Sequence, residues 1–502
     1  MAKRNIVLKK EVQLDLFEVK TKQEFTEEQK NFIEYDGNDS VVLSSCAGSG
    51  KTFSCVQRLK KLLERGVDPN RIIFFSFTRD AVNELSSRVE REGIDVQSKT
   101  KKDGIKITTI HSFCGGVLAQ TGKQKAVSDF FDFIEWYKER YKPRYGATQS
   151  DKEEFHNTIE NLYEDSVFIS SSIASFKLQS AEKIKAKVPE FMTEYNIFLR
   201  EKKARDFSDM LIEVRDMFTE ERWLRMFKGK YDYIFIDEYQ DTSSIQLQIV
   251  LALNAKYYYL IGDKNQSIYG FSGSNCELLE NMVKRRRTTV EMNLSVNFRS
   301  DKNIVENSNN FSTLRAVAKS GEDGYVDNNI ILKIDDLIEL LKTEDEVAVL
   351  VRTNSVIKKL ECQLLKRKVP MSYFNFISHK DVEHFKKGQI TDSLKNKLSQ
   401  VREYFGNDEN TIAFIERFKK MNKFVTTIHK SKGREFHTCV VVNSVSPNLL
   451  QQNPNFHKLS KKQVAAISFD LDDEDDVEPR NIHYVAVSRS KHKLYYMIYM
   501  PK

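Results

Sequence analysis

Residues 45–52 have the sequence S-C-A-G-S-G-K-T and lie between an apolar run at 41–43 and a longer amphipathic stretch. A strand followed by a turn of small residues and then a helix is the context of a phosphate-binding loop. Small residues let backbone N–H groups close on phosphate oxygens, and the helix N-terminus adds a favourable dipole. The strict pattern has Gly where Ser45 stands, and a Gly-rich turn is the alternative interpretation. The segment predicts an ATP site formed by Ala47, Gly48, Ser49, Gly50, Lys51 and Thr52.

A second motif, Y-I-F-I-D-E-Y-Q-D-T at 233–242, is a hydrophobic strand that ends in two adjacent carboxylates. Most acidic pairs after strands are solvated caps, but this pair accompanies a phosphate-binding loop. We expect Lys51 to reach the β- and γ-phosphates, and Thr52 and Asp237 to hold Mg²⁺. Glu238 is then expected to orient and deprotonate the attacking water.

Two arginines stand in further motifs, Arg299 in L-S-V-N-F-R-S and Arg489 in Y-V-A-V-S-R-S-K. Transfer of a phosphoryl group builds up charge that cations stabilise. Either arginine alone would more often be a surface residue. Because the chain also carries the two nucleotide motifs, Arg299 and Arg489 are both predicted to be catalytic.

Short apolar runs rich in β-branched and aromatic residues recur at 41–43, 72–75, 233–236, 257–261, 347–351 and 439–442. Longer amphipathic stretches lie between them, and this alternation predicts an α/β fold with buried parallel strands and crossover helices. The pattern changes at 116–205 to long, charged, aromatic-rich stretches, which indicate a helical insertion. A second, shorter insertion is predicted at 378–423.

The composition of the 502 residues, 40% hydrophobic and 30% charged, is typical of a folded globular protein. No apolar run approaches the roughly 20 residues that span a bilayer, so we expect no membrane partner. The basic first ten residues lack the apolar block of a signal peptide, which favours a cytoplasmic, nucleoid-associated protein. Six scattered cysteines disfavour a zinc site, and the net charge of +7 is compatible with a polyanionic partner.

In order along the chain, these motifs resemble those of the UvrD/Rep/PcrA family of superfamily 1 DNA helicases. The matching segments, from the Q motif to motif VI, are F-T-E-E-Q-K (25–30), F-S-F-T-R-D-A-V-N-E-L (75–85), T-I-H-S-F (109–113), D-E-Y-Q-D-T-S-S-I-Q (237–246), I-G-D-K-N-Q-S-I-Y-G-F-S-G-S (261–274), V-R-T-N (351–354), T-I-H-K-S-K-G-R-E-F (427–436) and V-A-V-S-R-S-K (485–491).

The resemblance implies two RecA-like P-loop domains, each interrupted by an insertion. The implied boundaries are 21–115 with 206–285 for the first domain, 116–205 for its helical insertion, 286–377 with 424–502 for the second domain, 378–423 for its short insertion, and 1–20 for a flexible arm.

At the ATP site, the resemblance implies that Gln29 recognises the adenine edge and that Gln266 senses the γ-phosphate. Arg489 would be the arginine finger, and Gly433 and Glu435 would lie at the nucleotide.

Two positions depart from the family pattern. Phe53 stands where relatives often carry an arginine that stacks on adenine, and we expect adenine to lie between Phe53 and Phe298 instead. Ser272 replaces a common arginine of motif III, so one cationic contact is absent there.

Single-stranded nucleic acid is gripped by aromatic platforms interleaved with polar and cationic groups. Aromatic residues beside strands more often belong to a core, but the loop around 270 is polar and Gly-rich. The residues expected to contact single-stranded or tailed duplex DNA are Phe77, Thr78, Arg79, His111, Tyr269, Phe271, Arg352, Asn354 and His429.

The resemblance implies 3′→5′ movement driven by closure and reopening of the cleft between the lobes. The second insertion is larger in the relatives, so translocation is expected more firmly than processive unwinding. Two alternatives remain: a nucleic-acid-sensing ATPase subunit that controls a partner nuclease, and an RNA-directed motor.

The arm contains Q-L-D-L-F at 13–17, which resembles the short peptide that docks bacterial repair proteins on the sliding clamp. Such a peptide would bury Leu16 and Phe17 in an apolar pocket while Gln13 makes polar contacts, and Leu14 is counted with them as a clamp-binding residue. The alternative is an arm packed on the first domain. A sliding clamp and a nuclease or repair protein are therefore the predicted protein partners.

Overall fold

The computed structural model describes residues 24–445 and 477–499, together with Val464, apart from gaps at 99, 145, 165, 179–188, 270–275, 328, 374, 389 and 391. Among the described residues, no helix has the length and apolar character needed to cross a bilayer.

The described helices are α1 (Glu27–Glu34), α2 (Lys51–Glu64), α3 (Arg79–Arg91), α4 (Ile110–Gln120), α5 (Phe130–Tyr141), α6 (Gln149–Glu164), α7 (Ser166–Leu178), α8 (Met192–Glu201), α9 (Phe207–Met217), α10 (Glu221–Leu224), α11 (Ser244–Ala252), α12 (Cys276–Lys284), α13 (Lys302–Asn309), α14 (Ile334–Thr343), α15 (Asn354–Lys366), α16 (His379–Lys386), α17 (Asp392–Ser399), α18 (Arg402–Phe405), α19 (Asp408–Phe418), α20 (Ile428–Ser431) and α21 (Val477–Val487).

The described strands are β1 (Ser40–Ser45), β2 (Ile72–Phe75), β3 (Lys106–Thr108), β4 (Ala126–Val127), β5 (Ala204–Arg205), β6 (Tyr233–Asp237), β7 (Tyr257–Gly262), β8 (Thr289–Leu294), β9 (Val296–Asn297), β10 (Val317–Ala318), β11 (Tyr325–Val326), β12 (Val347–Val351), β13 (Lys423–Thr427), β14 (Phe436–Val442) and β15 (Ser490–Met497).

The first lobe is built on a parallel sheet with the strand order β3-β2-β6-β7-β1-β8. Successive strand residues point to opposite faces, so Ile73 and Phe75 join one core and Ile72 and Phe74 the other. Because helices cover both faces, the inner strands contain continuous apolar runs, such as I-I-F-F in β2 and V-V-L in β1. The predicted strands at 41–43, 72–75, 233–236 and 257–261 are confirmed.

The predicted domain boundary between residues 285 and 286 is wrong. Strand β8 pairs in parallel with β1 over six residues, from Ser40 with Thr289 to Ser45 with Leu294. It forms an edge of the first sheet. The chain therefore enters the second lobe only after Leu294.

The predicted start of the first insertion at residue 116 is also wrong. It falls inside α4, whose Cys114, Val117 and Leu118 belong to the core of the first lobe. The insertion has its own aromatic core from Phe130 to Leu199. The short strands β4 and β5 pair at its base, and the helical character predicted for this segment is confirmed.

The second lobe contains a parallel sheet with the order β11-β15-β14-β12-β13, and the predicted strands at 347–351 and 439–442 are confirmed. The second insertion forms the helices α16 to α19. Its apolar residues Val382, Leu394 and Ile412 share a core with strand residues Val347 and Val349. This insertion is thus packed onto the second lobe.

Candidate ATP site and nucleic-acid interface

The phosphate-binding loop lies between the carboxyl end of β1 and the first residue of α2, Lys51. Gly48 and Gly50 have φ angles of 71° and 77°, which favour glycine. A Cβ atom on Gly48 would lie 2.6 Å from the Cβ atom of Arg299. The turn therefore requires small residues both for its backbone conformation and for its contact with the second lobe.

The paired carboxylates follow β6, in the same sheet and at the same end. Glu238 adopts a left-handed conformation with φ 52°, which turns the chain sharply after Asp237. The Lys51 ammonium lies 3.0 Å from Glu238 Oε1. The structure thus brings together the lysine and the acidic pair predicted from two distant motifs.

The two neighbouring carboxyls are in opposite electrostatic situations. Burial and the charge of Glu238 raise the pKa of Asp237 to about 7. Burial also acts to raise the pKa of Glu238, but the charges of Lys51 and Lys432 outweigh it and lower that pKa to about 2. Glu238 is thus held ionised. At Asp237 the nearby positive charges do not offset the effect of burial, so a cation bound beside it would stabilise the ionised carboxylate.

These residues fit a nucleotide triphosphate with Mg²⁺. The glycine turn lies at the N-terminus of α2, where an anion is favoured. The Thr52 hydroxyl and the Asp237 carboxylate are the hard oxygen donors that Mg²⁺ prefers. Such an ion would supply charge stabilisation at the phosphates.

The Q motif packs against this loop. Thr26 and Gln29 form a capping box at the start of α1, and Gln29 Nε2 lies 3.5 Å from the Ser49 carbonyl oxygen. The ring of Phe53 packs on Phe25, with centroids 5.8 Å apart. Gln29 and Phe53 therefore lie together at one side of the loop, as the predicted adenine site requires.

Phe298 lies at the other end of this loop, where its backbone N–H donates to the Gly48 carbonyl at 2.9 Å. Its side chain is 44% exposed. The stacking of adenine between Phe53 and Phe298 remains a prediction.

The second lobe contributes Arg299, whose Nε donates to Glu435 at 2.8 Å and whose Nη1 donates to the Ser488 carbonyl at 3.2 Å. Glu435 also pairs with Lys491 at 2.6 Å. It follows Gly433, which has a φ of 83°. Arg299 thus contacts the phosphate-binding loop through its Cβ atom while its guanidinium group is paired with Glu435.

Arg489 is fully buried and joins the two lobes. Its Nη2 donates to Gln266 Oε1 at 3.2 Å, and its Nε donates to the Val485 carbonyl at 3.0 Å. Gln266 in turn donates to Asp263 at 2.8 Å. The predicted arginine finger and the predicted γ-phosphate sensor are therefore in direct contact.

Tyr484 and Lys432 are among the cross-lobe residues that were not predicted; Asn481, which donates to the Ser267 carbonyl at 3.0 Å, is another. The Tyr484 hydroxyl donates to Asp263 at 3.1 Å and accepts the Ala47 N–H at 3.3 Å. Lys432 donates to Asp241 at 2.5 Å. Local sequence gives no sign of these contacts, because their partners lie in the other lobe more than 190 positions away along the chain.

A second group of predicted residues forms an aromatic row across the lobes. Phe77, 41% exposed, packs on Tyr269 with ring centroids 5.2 Å apart. Tyr269 lies 5.9 Å from the His429 ring of the second lobe. Burial lowers the pKa of His429. These three rings, called the aromatic row below, join the carboxyl ends of both sheets.

The other predicted DNA contacts also follow carboxyl ends of strands. Thr78 caps α3 through its hydroxyl, and Arg79 beside it is exposed. Arg352 is exposed after β12, and Asn354 begins α15. Loops at this end of parallel sheets are the usual position of binding sites.

His111 lies near the start of α4, and burial lowers its pKa. Its ring lies 5.6 Å from that of Phe207, which is 45% exposed at the start of α9. Phe207 was not predicted, although an exposed aromatic residue beside a helix cap, D-F-S-D at 206–209, is a usable signal.

Phe271 and the peptide at 13–17, with Gln13, Leu14, Leu16 and Phe17, lie outside the described residues. Their roles remain predictions.

Comparison with known proteins gives a match to the UvrD/REP helicase N-terminal domain over residues 25–287, slightly more than half of the chain. A probable DNA helicase of Mycoplasma pneumoniae is 26% identical over 491 residues, covering 93% of this chain and 82% of that protein.

Two other relatives are matched over about half of their own length. A probable DNA helicase II homolog of Mycoplasma capricolum is 26% identical over 71% of this chain and 53% of the relative. The ATP-dependent DNA helicase PcrA of Staphylococcus epidermidis is 26% identical over 66% of this chain and 48% of the relative. On its fold, its nucleotide motifs and the family match, the chain belongs to the UvrD/REP helicase family.

Proposed function

We propose that this chain is an ATP-dependent DNA helicase or translocase that moves 3′→5′ along single-stranded DNA. The observation that carries the proposal is the segment after β7. In this segment Gln266 accepts a hydrogen bond from Arg489 of the second lobe. Tyr269, three residues later, belongs to the aromatic row. One short segment therefore contacts both the ATP site and the DNA interface.

At the ATP site, Lys51 binds the terminal phosphates and Glu238 accepts a proton from the attacking water. The low pKa of Glu238 keeps it ionised at neutral pH. Arg299 and Arg489 come from the second lobe, so their charges reach the transferred phosphoryl group only when the lobes are aligned. Thr52 and Asp237 would hold Mg²⁺.

At the DNA interface, bases stack on Phe77, Tyr269 and Phe207, while the polar and cationic groups beside them hold the backbone. These three rings come from the first lobe, and His429, next to Tyr269, belongs to the second. Alternating closure and opening of the lobes would then change the grip on the strand.

The compact second insertion supports translocation over processive unwinding, because its helices are packed into the core of the second lobe. The same compact insertion is consistent with a second candidate function, that of a nucleic-acid-sensing ATPase subunit of a nuclease complex. A sliding clamp that binds residues 13–17 is a further proposed partner, tested by clamp affinity after Leu16→Ala with Phe17→Ala.

The first experiment is ATP turnover with and without single-stranded DNA, for the wild type, Lys51→Ala and Glu238→Gln. We expect DNA to stimulate the wild type. Lys51→Ala should abolish turnover, and Glu238→Gln should bind ATP but lose about a hundredfold or more in turnover, the usual contribution of a general base. Glu90→Gln, an exposed glutamate on α3, is the control. Normal turnover by Lys51→Ala would refute the site.

A further inference from the structure

Lys432 lies just after α20 in the second lobe, and its side chain is 11% exposed. Its ammonium group donates to Asp241 Oδ2 at 2.5 Å and to the Gln266 carbonyl oxygen at 2.7 Å. Both acceptors belong to the first lobe. This single cation therefore bridges the cleft between the lobes.

The same ammonium group faces the DNA interface. It lies 5.3 Å from the centroid of the Tyr269 ring, within the range of a cation–π interaction. Tyr269 is the central ring of the aromatic row, packed between Phe77 and His429. A movement of this ring caused by a stacked base would therefore change its contact with the Lys432 ammonium group.

On its other side Lys432 faces the catalytic acids. Asp241 lies three residues after Glu238, in a short helical turn that spans Tyr239–Asp241. Gln240 of this turn donates to Glu238 Oε2 at 2.5 Å, so the turn that Lys432 holds through Asp241 also contacts the acid that is proposed to activate water. The position of this cation therefore affects the acid that is proposed to activate water.

An ordinary stabilising ion pair does not account for this arrangement. The Asp241 side chain is fully buried, and a buried carboxylate without its cation is strongly unfavourable. Here the cation is supplied by the other lobe, so separation of the lobes would leave that carboxylate unpaired. The pair is therefore sensitive to lobe alignment.

We propose that Lys432 is the positioning residue that couples DNA stacking on Tyr269 to ATP hydrolysis at Glu238 and Gln266. The inference rests on the proposed motor function. It assigns the coupling to one side chain that contacts the DNA platform, the backbone of the γ-phosphate sensor and the turn after the catalytic acids.

The test is the ratio of ATP turnover with and without oligo(dT), measured for the wild type and Lys432→Met. Methionine keeps the unbranched chain as far as the ε position but removes the ammonium group and its charge. We expect the ratio to fall about tenfold, the usual size of a coupling between two sites. Lys430→Met removes an exposed cation two positions earlier and should keep the wild-type ratio.

A second readout separates coupling from a structural role. The affinity for oligo(dT) is measured with and without a non-hydrolysable ATP analogue. Because coupling between binding sites is reciprocal, the analogue should change the affinity of the wild type but not that of Lys432→Met. Lys432→Arg, which keeps the charge, should restore part of the effect.

Asp241→Asn provides an independent variant if Lys432→Met does not fold, and the same loss of coupling is expected. A wild-type ratio in either folded variant would overturn the inference while leaving the proposed function intact. Absence of DNA-stimulated turnover in the wild type would instead contradict the proposed function itself.

Discussion

Single residues in this chain show how burial and neighbouring charges set their chemistry. Glu361 of α15 is fully buried and accepts hydrogen bonds from the Asn375 and Phe376 backbone N–H groups, at 3.1 and 2.6 Å. Burial outweighs these bonds and raises the pKa of Glu361 to about 7. The carboxyl fixes the chain beside β13, because Asn375 also donates to the Val425 carbonyl.

From the raised pKa of Glu361 we predict that the free energy of unfolding depends on pH. The unfolded state ionises near the ordinary glutamate value, so the stabilising contribution of protonated Glu361 is lost as the pH rises through about 7. Between pH 5.5 and 8, urea unfolding should show the wild type losing roughly 2 kcal/mol relative to Glu361→Gln. Exposed Glu383→Gln should show no such trend, and a pH-independent difference between wild type and Glu361→Gln would refute the assignment.

The residues of the ATP site were predictable where a local motif carries them. Lys51 begins α2, and Asp237 ends β6 with Glu238 directly after it. The parallel sheet then brings these residues together. Tyr484 and Lys432 were missed because their partners are set by the docking of the lobes, which no local pattern encodes.

At the scale of elements, the strands buried on both faces were predictable because each contains a continuous apolar run. Strand β8, T-V-E-M-N-L, was missed because it is an edge strand with only Leu294 fully buried. Because polar and apolar residues alternate in β8, the strand was not recognised as part of the first sheet, and the boundary between the two lobes was predicted too early in the chain. The predicted insertion boundary fell inside helix α4 because the sequence pattern changes near residue 116, whereas the apolar face of the helix continues past that residue into the core of the first lobe.

The aromatic row yields a prediction about DNA binding. Phe77→Ala removes the exposed ring that packs on Tyr269. Loss of one stacked base should weaken oligo(dT) binding by about 1–3 kcal/mol, measured by fluorescence anisotropy. Phe131→Ala, which removes a ring that is 57% exposed on the first insertion, is the matched control. Equal affinities for the two variants would argue against the row as a DNA platform.

At the scale of the whole molecule, the lobes meet through polar contacts and also through apolar ones, since Ala47 and Ile268 of the first lobe belong to a core of the second. The cross-lobe bonds of Arg489, Tyr484 and Lys432 end on residues of the phosphate-binding loop, the carboxylate turn and the segment after β7. The insertion is tied to the first lobe by Lys177 of α7, which pairs with Asp206 and Asp209 at the N-terminus of α9. The cross-lobe bonds thus connect the second lobe to the phosphate-binding loop and to the segment that carries Tyr269.

We propose above all that ATP hydrolysis moves this chain in one direction along single-stranded DNA. The most direct measurement of this movement is stopped-flow fluorescence on oligo(dT) of increasing length, labelled at the 5′ or the 3′ end. We predict that the signal from the 5′ label arrives later as the strand lengthens, and that this delay requires ATP and intact Lys51. A signal whose timing is independent of strand length at both ends, despite DNA-stimulated ATP turnover, would contradict the account.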